Sequence, residues 1–234
     1  MTGTMSNGTC ALCGKDYAKN IISRHLKKCL QVQAAASPGG KKQKTFWINV
    51  WGKYRPDYWL HLQVPCSAKL ADLDQFLRDI WLECCGHLSA FTIGNTRYEL
   101  DTGQVDAIWK DFFGPSMPTK SMAAKLYTVL QPGLKFSHEY DFGTTTNLSL
   151  KVVAEHERAG QSNEIRILAR NNPPDLRCTK CGKPATQVCT HCIYEGSVAW
   201  LCDQHAKKHK CGEDMLLPVV NSPRVGQCGY TGRD

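Results

Sequence analysis

Residues 58–84 read YWLHLQVPCSAKLADLDQFLRDIWLEC, and the spacing of their apolar side chains changes halfway along. Over 58–64 the pattern alternates, so Tyr58, Leu60, Leu62 and Val64 share one face of a strand. From Leu70 the apolar positions Leu70, Leu73, Leu77, Ile80, Trp81 and Cys84 recur every three or four residues, the stripe of an amphipathic helix. Ser67 stands where a cap belongs, and Asp72 and Asp74 lie near the helix start, where negative charge is favourable. Gly86 marks the expected end. A clean strand feeding a helix, in a chain otherwise rich in strand patterns, predicts an α+β fold.

Upstream, residues 46–51 form a preceding strand, joined to 58–64 by a turn at Pro56-Asp57. Downstream, 88–93 and 97–100 make a hairpin about Gly94-Asn95. After a Gly/Pro-broken stretch at 111–119, residues 121–130 read as a short helix or turn. Residues 134–140, 147–153 and 164–169 then read as three closing strands. The expectation is a central mixed sheet with one or two packed helices, flanked by two small zinc-binding modules. Its divisions are a finger at 1–30, a flexible basic linker at 31–45, an α+β domain at 46–170 and a two-zinc finger with its tail at 171–234.

The flanks are read from their cysteines. Cys10-x2-Cys13-x11-His25-x3-Cys29 has near-standard zinc-finger spacing. A helix over 20–30 places His25 and Cys29 one turn apart on one face, with Tyr17, Ile21, Ile22 and Leu26 as the apolar residues such a module can bury. Near the other end, Cys178-x2-Cys181, Cys189-x2-Cys192, Cys202-x2-His205, His209 and Cys211 place eight soft ligands within 34 positions. A Cys-x2-Cys step lets two thiolates meet one ion, and zinc takes four ligands tetrahedrally, so eight ligands imply two closed sites and the chain three zinc ions. The eighth ligand is Cys211, with Cys228 the alternative. Cys66, Cys84 and Cys85 lack partners at useful spacing and read as core or half-buried thiols. No run of 18 apolar residues occurs, so no membrane span is expected. The first ten residues hold no signal-like apolar core, so the 13 cysteines are expected as reduced thiols in a cytoplasm.

The net charge of +8 is uneven. Residues 1–44 carry eight Lys/Arg against one Asp, and Lys19, Arg24, Lys27, Lys28, Lys41, Lys42 and Lys44 form a basic cluster. Such a cluster is a candidate contact for nucleic-acid phosphates, giving salt-dependent and largely sequence-blind affinity. A protein partner docking on the fingers is the other class of expectation, and no small-molecule substrate is indicated. Asp141-Phe142-Gly143 lacks the glycine-rich loop, strand lysine and His-Arg-Asp loop that a kinase needs. Its expected role is local: Asp141 accepting turn N–H groups, Phe142 anchoring the core and Gly143 at positive φ. A pocket formed by His61, His87, His138 and Asp141 is the remaining enzymatic reading.

Three resemblances add to this. The first finger resembles Cys-Cys-His-Cys zinc fingers. Residues 46–157 resemble the plasmid pRiA4b ORF-three-like family, through Leu60-His61, Leu77, Trp81, the run Gly86-His87-Leu88-Ser89-Ala90-Phe91-Thr92-Ile93, Tyr98 and the run Lys135-Phe136-Ser137-His138-Glu139-Tyr140-Asp141-Phe142-Gly143. That resemblance implies an α+β fold carried by plasmids and insertion elements, with no assigned chemistry. Where the family often continues with Asp, Trp and His, this chain has Thr144, Thr145, Thr146 and Asn147. The C-terminal ladder looks like a B-box or related cross-brace finger. This resemblance implies that Cys178, Cys181, Cys202 and His205 share one ion and Cys189, Cys192, His209 and Cys211 the other. Spacing alone also allows a sequential pairing.

Overall fold

A computed structural model describes residues 6–36, 41–100, 117–160 and 162–232. Ten strands form one sheet: β1 (Asn7–Cys10), β2 (Asp16–Ala18), β3 (Lys42–Gly52), β4 (Trp59–Pro65), β5 (Ser89–Ile93), β6 (Thr96–Glu99), β7 (Thr119–Ser121), β8 (Lys135–Tyr140), β9 (Thr146–Ala159) and β10 (Arg166–Asn171). Their order is β2-β1-β10-β4-β3-β9-β8-β5-β6-β7, antiparallel throughout except for the β6–β7 pair. The sheet is therefore mixed and the fold α+β, as its strand-then-helix pattern predicts. Residues 111–116 of the Gly/Pro-broken stretch lie outside the described residues.

The two faces of β3 and β4 hold different cores. Phe46, Ile48 and Val50 join Tyr58, Leu60, Leu62 and Val64 on one face. Helix α2 (Leu70–Leu77) covers them with Leu70, Leu73 and Leu77, all fully buried. On the opposite face Trp47 and Trp59 pack with Ile22, Leu26 and Leu30 of helix α1 (Lys19–Ala36). Alternation sends successive residues to opposite faces, so β4 is buried along its whole length because a helix covers each side. Burying side chains such as Ile22 and Leu26 contributes roughly 1.5–3 kcal/mol each.

The N-terminal module is thus not a bead on a linker. Its β1 pairs with β10 of the main sheet, and α1 shares the Trp47–Trp59 core. The expected linker at 31–45 is corrected in two places: α1 continues to Ala36, and β3 begins at Lys42. Residues 37–40 lie outside the described residues. Ile21 is 44% exposed, not buried, because Ile22 and Leu26 take the inward stripe.

Three local expectations also change. The cap of α2 comes from Lys69 and Asp72, not Ser67: the Lys69 N–H donates to Asp72 Oδ2 at 2.7 Å. The helical run ends before Gly86, in a π-helical turn at Arg78–Leu82 with Glu83 extended. At the Asp-Phe-Gly corner, Asp141 Oδ1 does accept the N–H groups of Gly143 and Thr144, at 3.0 and 3.1 Å. The positive φ, however, belongs to Asp141 at 65°, and Phe142 is exposed beneath the Arg97 guanidinium.

Beyond β10 lies a small sheet of β11 (Gln187–Cys189), β12 (Trp200–Leu201) and β13 (Leu216–Pro218), with β11 central. Val188 and Val225 are buried in the main core, and Ile193, Trp200, Leu217 and Val220 pack against it. These residues attach the module to the body, while Ala199, Leu201 and Ala206 form a small cluster of its own.

Candidate metal centres

Four groups of three cysteines and one histidine converge among the described residues, each with its ligand atoms within 4.8 Å of one another. Three were expected. Every cysteine in the chain except Cys66 belongs to one of them. A tetrahedral zinc ion with about 2.3 Å bonds to sulfur and 2.0–2.1 Å bonds to nitrogen separates its ligand atoms by about 3.5–3.8 Å. The close ligand pairs of the four groups lie 3.1–3.9 Å apart, around and somewhat below that spacing.

The first group joins Cys10, Cys13, His25 and Cys29. Cys10 ends β1, and the chain turns so that the Gly14 N–H donates to Cys10 O and the Cys10 N–H to Lys15 O. Gly14 has φ 72°, which a Cβ would disfavour. Helix α1 brings His25 Nε2 to 3.2 Å from both Cys13 Sγ and Cys29 Sγ, and Tyr17 stacks on the His25 ring at 3.8 Å. Burial and then Cys10 and Cys13 push the Cys29 thiol up to about 11.

The C-terminal groups pair crosswise, as the cross-brace resemblance implies and the sequential reading does not. Cys178 and Cys181 meet Cys202 and His205, with Cys181–Cys202 at 3.7 Å and Cys178–His205 Nδ1 at 3.5 Å. The Cys178–Gly182 turn repeats the hydrogen bonds of the Cys10–Gly14 turn, again with a glycine φ of 72°. Cys189 and Cys192 meet His209 and Cys211, at 3.4 Å for Cys192–His209 Nε2 and 3.9 Å for Cys192–Cys211. The eighth position is held by Cys211. Burial and then the neighbouring Cys189 and Cys211 push the Cys192 thiol up to about 11.

Cys228 lies elsewhere, in a fourth group with Cys84, Cys85 and His87. The expectation that Cys84 and Cys85 lack partners is overturned, while Cys66 is a buried thiol that burial pushes up to about 11. Adjacent cysteines are not a recognised ligand step, and Cys228 is 143 residues from Cys85. A signal was nonetheless present: once nine cysteines are assigned to three sites, the remainder includes Cys84, Cys85 and Cys228 beside His87.

The proposed histidine pocket does not assemble. His61 lies between Trp47 and Trp59 on the α1 face, where Trp47 Nε1–H donates to His61 Nδ1 at 2.9 Å. Burial pushes its pKa down to about 4. His138 and Asp74 form a fully buried pair at 2.6 Å under α2. Only His87 approaches Asp141, at 3.5 Å.

The basic cluster divides as well. Lys19 is half-buried and donates to Pro56 O. Lys42 and Lys44 lie on β3 and pair with Glu157 and Glu155. Arg24, Lys27, Lys28 and Lys41 are exposed. Of these, Arg24, Lys27 and Lys28 project from α1, spaced i, i+3, i+4.

No protein-family model matches the chain, and no curated protein matches it. Among solved structures it is similar to a protein of unknown function from Methanosarcina mazei Go1, at 17% identity and a TM-score of 0.44. The alignment covers 55% of this chain and 69% of that one. No helix of the described residues is long and apolar enough to cross a membrane.

Proposed function

We propose that this is a zinc-stapled, non-enzymatic binding protein that associates with nucleic acid through α1. The supporting observation is the division of that helix. Ile22, Leu26 and Leu30 are buried against the sheet, whereas Arg24, Lys27 and Lys28 face solvent and make no ion pair among the described residues. His25 and Cys29 tie the helix to the Cys10–Cys13 turn, so its cations stand on a fixed surface. Each finger group presents four ligands, and a closed zinc site holds structure instead of activating water. The resemblance of 46–157 to plasmid and insertion-element passengers favours a role alongside a mobile element.

The test is binding of short DNA and RNA to the full chain, by fluorescence anisotropy across a salt series. Replacing Arg24, Lys27 and Lys28 together by alanine should weaken binding at least about tenfold at low salt. It should also flatten the log–log salt slope by up to about three units. Unchanged binding in the triple variant, or none by the wild type at 50 mM salt, would sink the reading. The second reading, a protein-docking adaptor, is favoured by Ile21 and Val32, 44% and 68% exposed on the same helix. It predicts partner binding that survives high salt and is lost on replacing those two residues.

A further inference from the structure

We propose that Cys84, Cys85, His87 and Cys228 hold a fourth zinc ion, and that this ion clasps the C-terminal tail onto the α+β body. The three finger groups each draw their ligands from one short stretch. The fourth alone joins two distant segments, for Cys228 lies 141 residues from His87. Its four ligand atoms converge within 4.8 Å of one another. Cys85–Cys228 at 3.8 Å matches a zinc tetrahedron, and Cys84–Cys85 at 3.3 Å, Cys85–His87 Nε2 at 3.1 Å and His87 Nε2–Cys228 at 3.2 Å are somewhat closer, as in the first finger.

The body's three ligands sit on a braced turn. Glu83 accepts the Gly86 N–H at 2.6 Å, the Tyr140 hydroxyl at 3.0 Å and the Arg78 guanidinium at 2.7 Å, fixing the backbone that carries Cys84, Cys85 and His87. The tail arrives equally fixed. The Ser222 hydroxyl donates to Trp81 O at 2.6 Å, and Arg55 donates to Val225 O at 2.9 Å. Cys228 then adopts φ 45°. Left-handed backbone is unfavourable for a non-glycine residue, and such outliers persist where a local interaction holds them. Asp141 and Cys228 are the two non-glycine residues with positive φ among those described; Cys228 belongs to this group and Asp141 borders it.

The charges also close around an ion. Zinc with three thiolates carries one net negative charge, and fully buried Arg224 reaches Cys84 Sγ at 3.3 Å. The same guanidinium donates to Asp141 Oδ2 at 2.7 Å, which lies 3.5 Å from His87 Nε2. Arg224 thus occupies the nearest carboxylate and leaves Cys3His as a complete, closed ligand set. Binding releases the thiol protons to solvent, and zinc affinity and tail docking become one coupled equilibrium.

The experiment uses the full chain. Native mass spectrometry of Cys85→Ser and Cys228→Ser should each show one zinc fewer than wild type. Proteolytic cleavage within 219–232 should rise at least about tenfold in both, because docking no longer gains from metal binding. Equal zinc content in the variants and wild type would overturn the proposal. A check on wild-type protein avoids any folding defect of the variants. Cys85 and Cys228, which solvent reaches, should resist iodoacetamide in the zinc-loaded protein and react after chelation. Rapid alkylation of both while zinc-loaded would overturn it equally.

Discussion

Arg224 and Asp141 show what single residues do here. Burial opposes ionisation of Asp141, but Arg224 and the N–H groups of Thr144 and Gly143 outweigh it and hold the carboxyl below its ordinary range. Arg224 also donates to Thr144 O and Thr146 Oγ1 and lies over the Tyr140 ring. Removing one partner of a buried pair strands the other, so Asp141→Ala should cost about 3–5 kcal/mol in urea unfolding; a loss under about 1 kcal/mol would contradict this. His61 gives a pH prediction. Its folded pKa is depressed to about 4 against about 6.5 unfolded, so its neutral form favours folding. Above about pH 6.5 it adds no pH dependence, and between there and about pH 4 the unfolded state takes the proton first and stability falls as pH drops. Side-chain ¹⁵N shifts should therefore show neutral His61 at pH 5.5, and a charged ring there would refute the buried Trp47–His61–Trp59 arrangement.

At the scale of elements, legibility followed the length of the periodic signal. The Tyr58–Val64 face and the Leu70–Trp81 stripe are long enough to read, and both appear in the core. Strands β1 and β2 have four and three residues, too few for alternation to register, so the finger's place on the sheet edge could not be foreseen. That edge depends on Gly8, where an added Cβ would lie 2.4 Å from both Arg170 O and a ring carbon of Trp59. Since neither backbone nor a fully buried Trp can move aside, Gly8→Ala should break the β1–β10 pairing. Hydrogen exchange would show it, as lost amide protection at residues 7–10 and 169–171, and retained protection would contradict this account. The Cys-x2-Cys steps were legible for the opposite reason: their ligands meet within one turn, independently of tertiary structure. Cys84, Cys85, His87 and Cys228 meet only because the tail crosses the Asp141 corner, and no local spacing records that.

At the scale of the whole molecule, the metal groups lie at the seams. One fastens α1 to the turn that leads into the sheet edge, two build the C-terminal module, and the fourth joins that module's tail to the body. The core under α2 is built by the sheet and its own helix and needs no ion. The N-terminal module, by contrast, adds mainly Ile22, Leu26 and Leu30 to the second core, and the C-terminal module's own cluster is small. Chelation should therefore release both ends while the β3–β4–β9 core keeps its amide protection, and simultaneous loss everywhere would show that metal sustains the sheet as well. The most direct measurement is the zinc content of the intact wild-type chain by native mass spectrometry. Four zinc ions per chain is the predicted result; three or fewer in fully metal-loaded protein would contradict it.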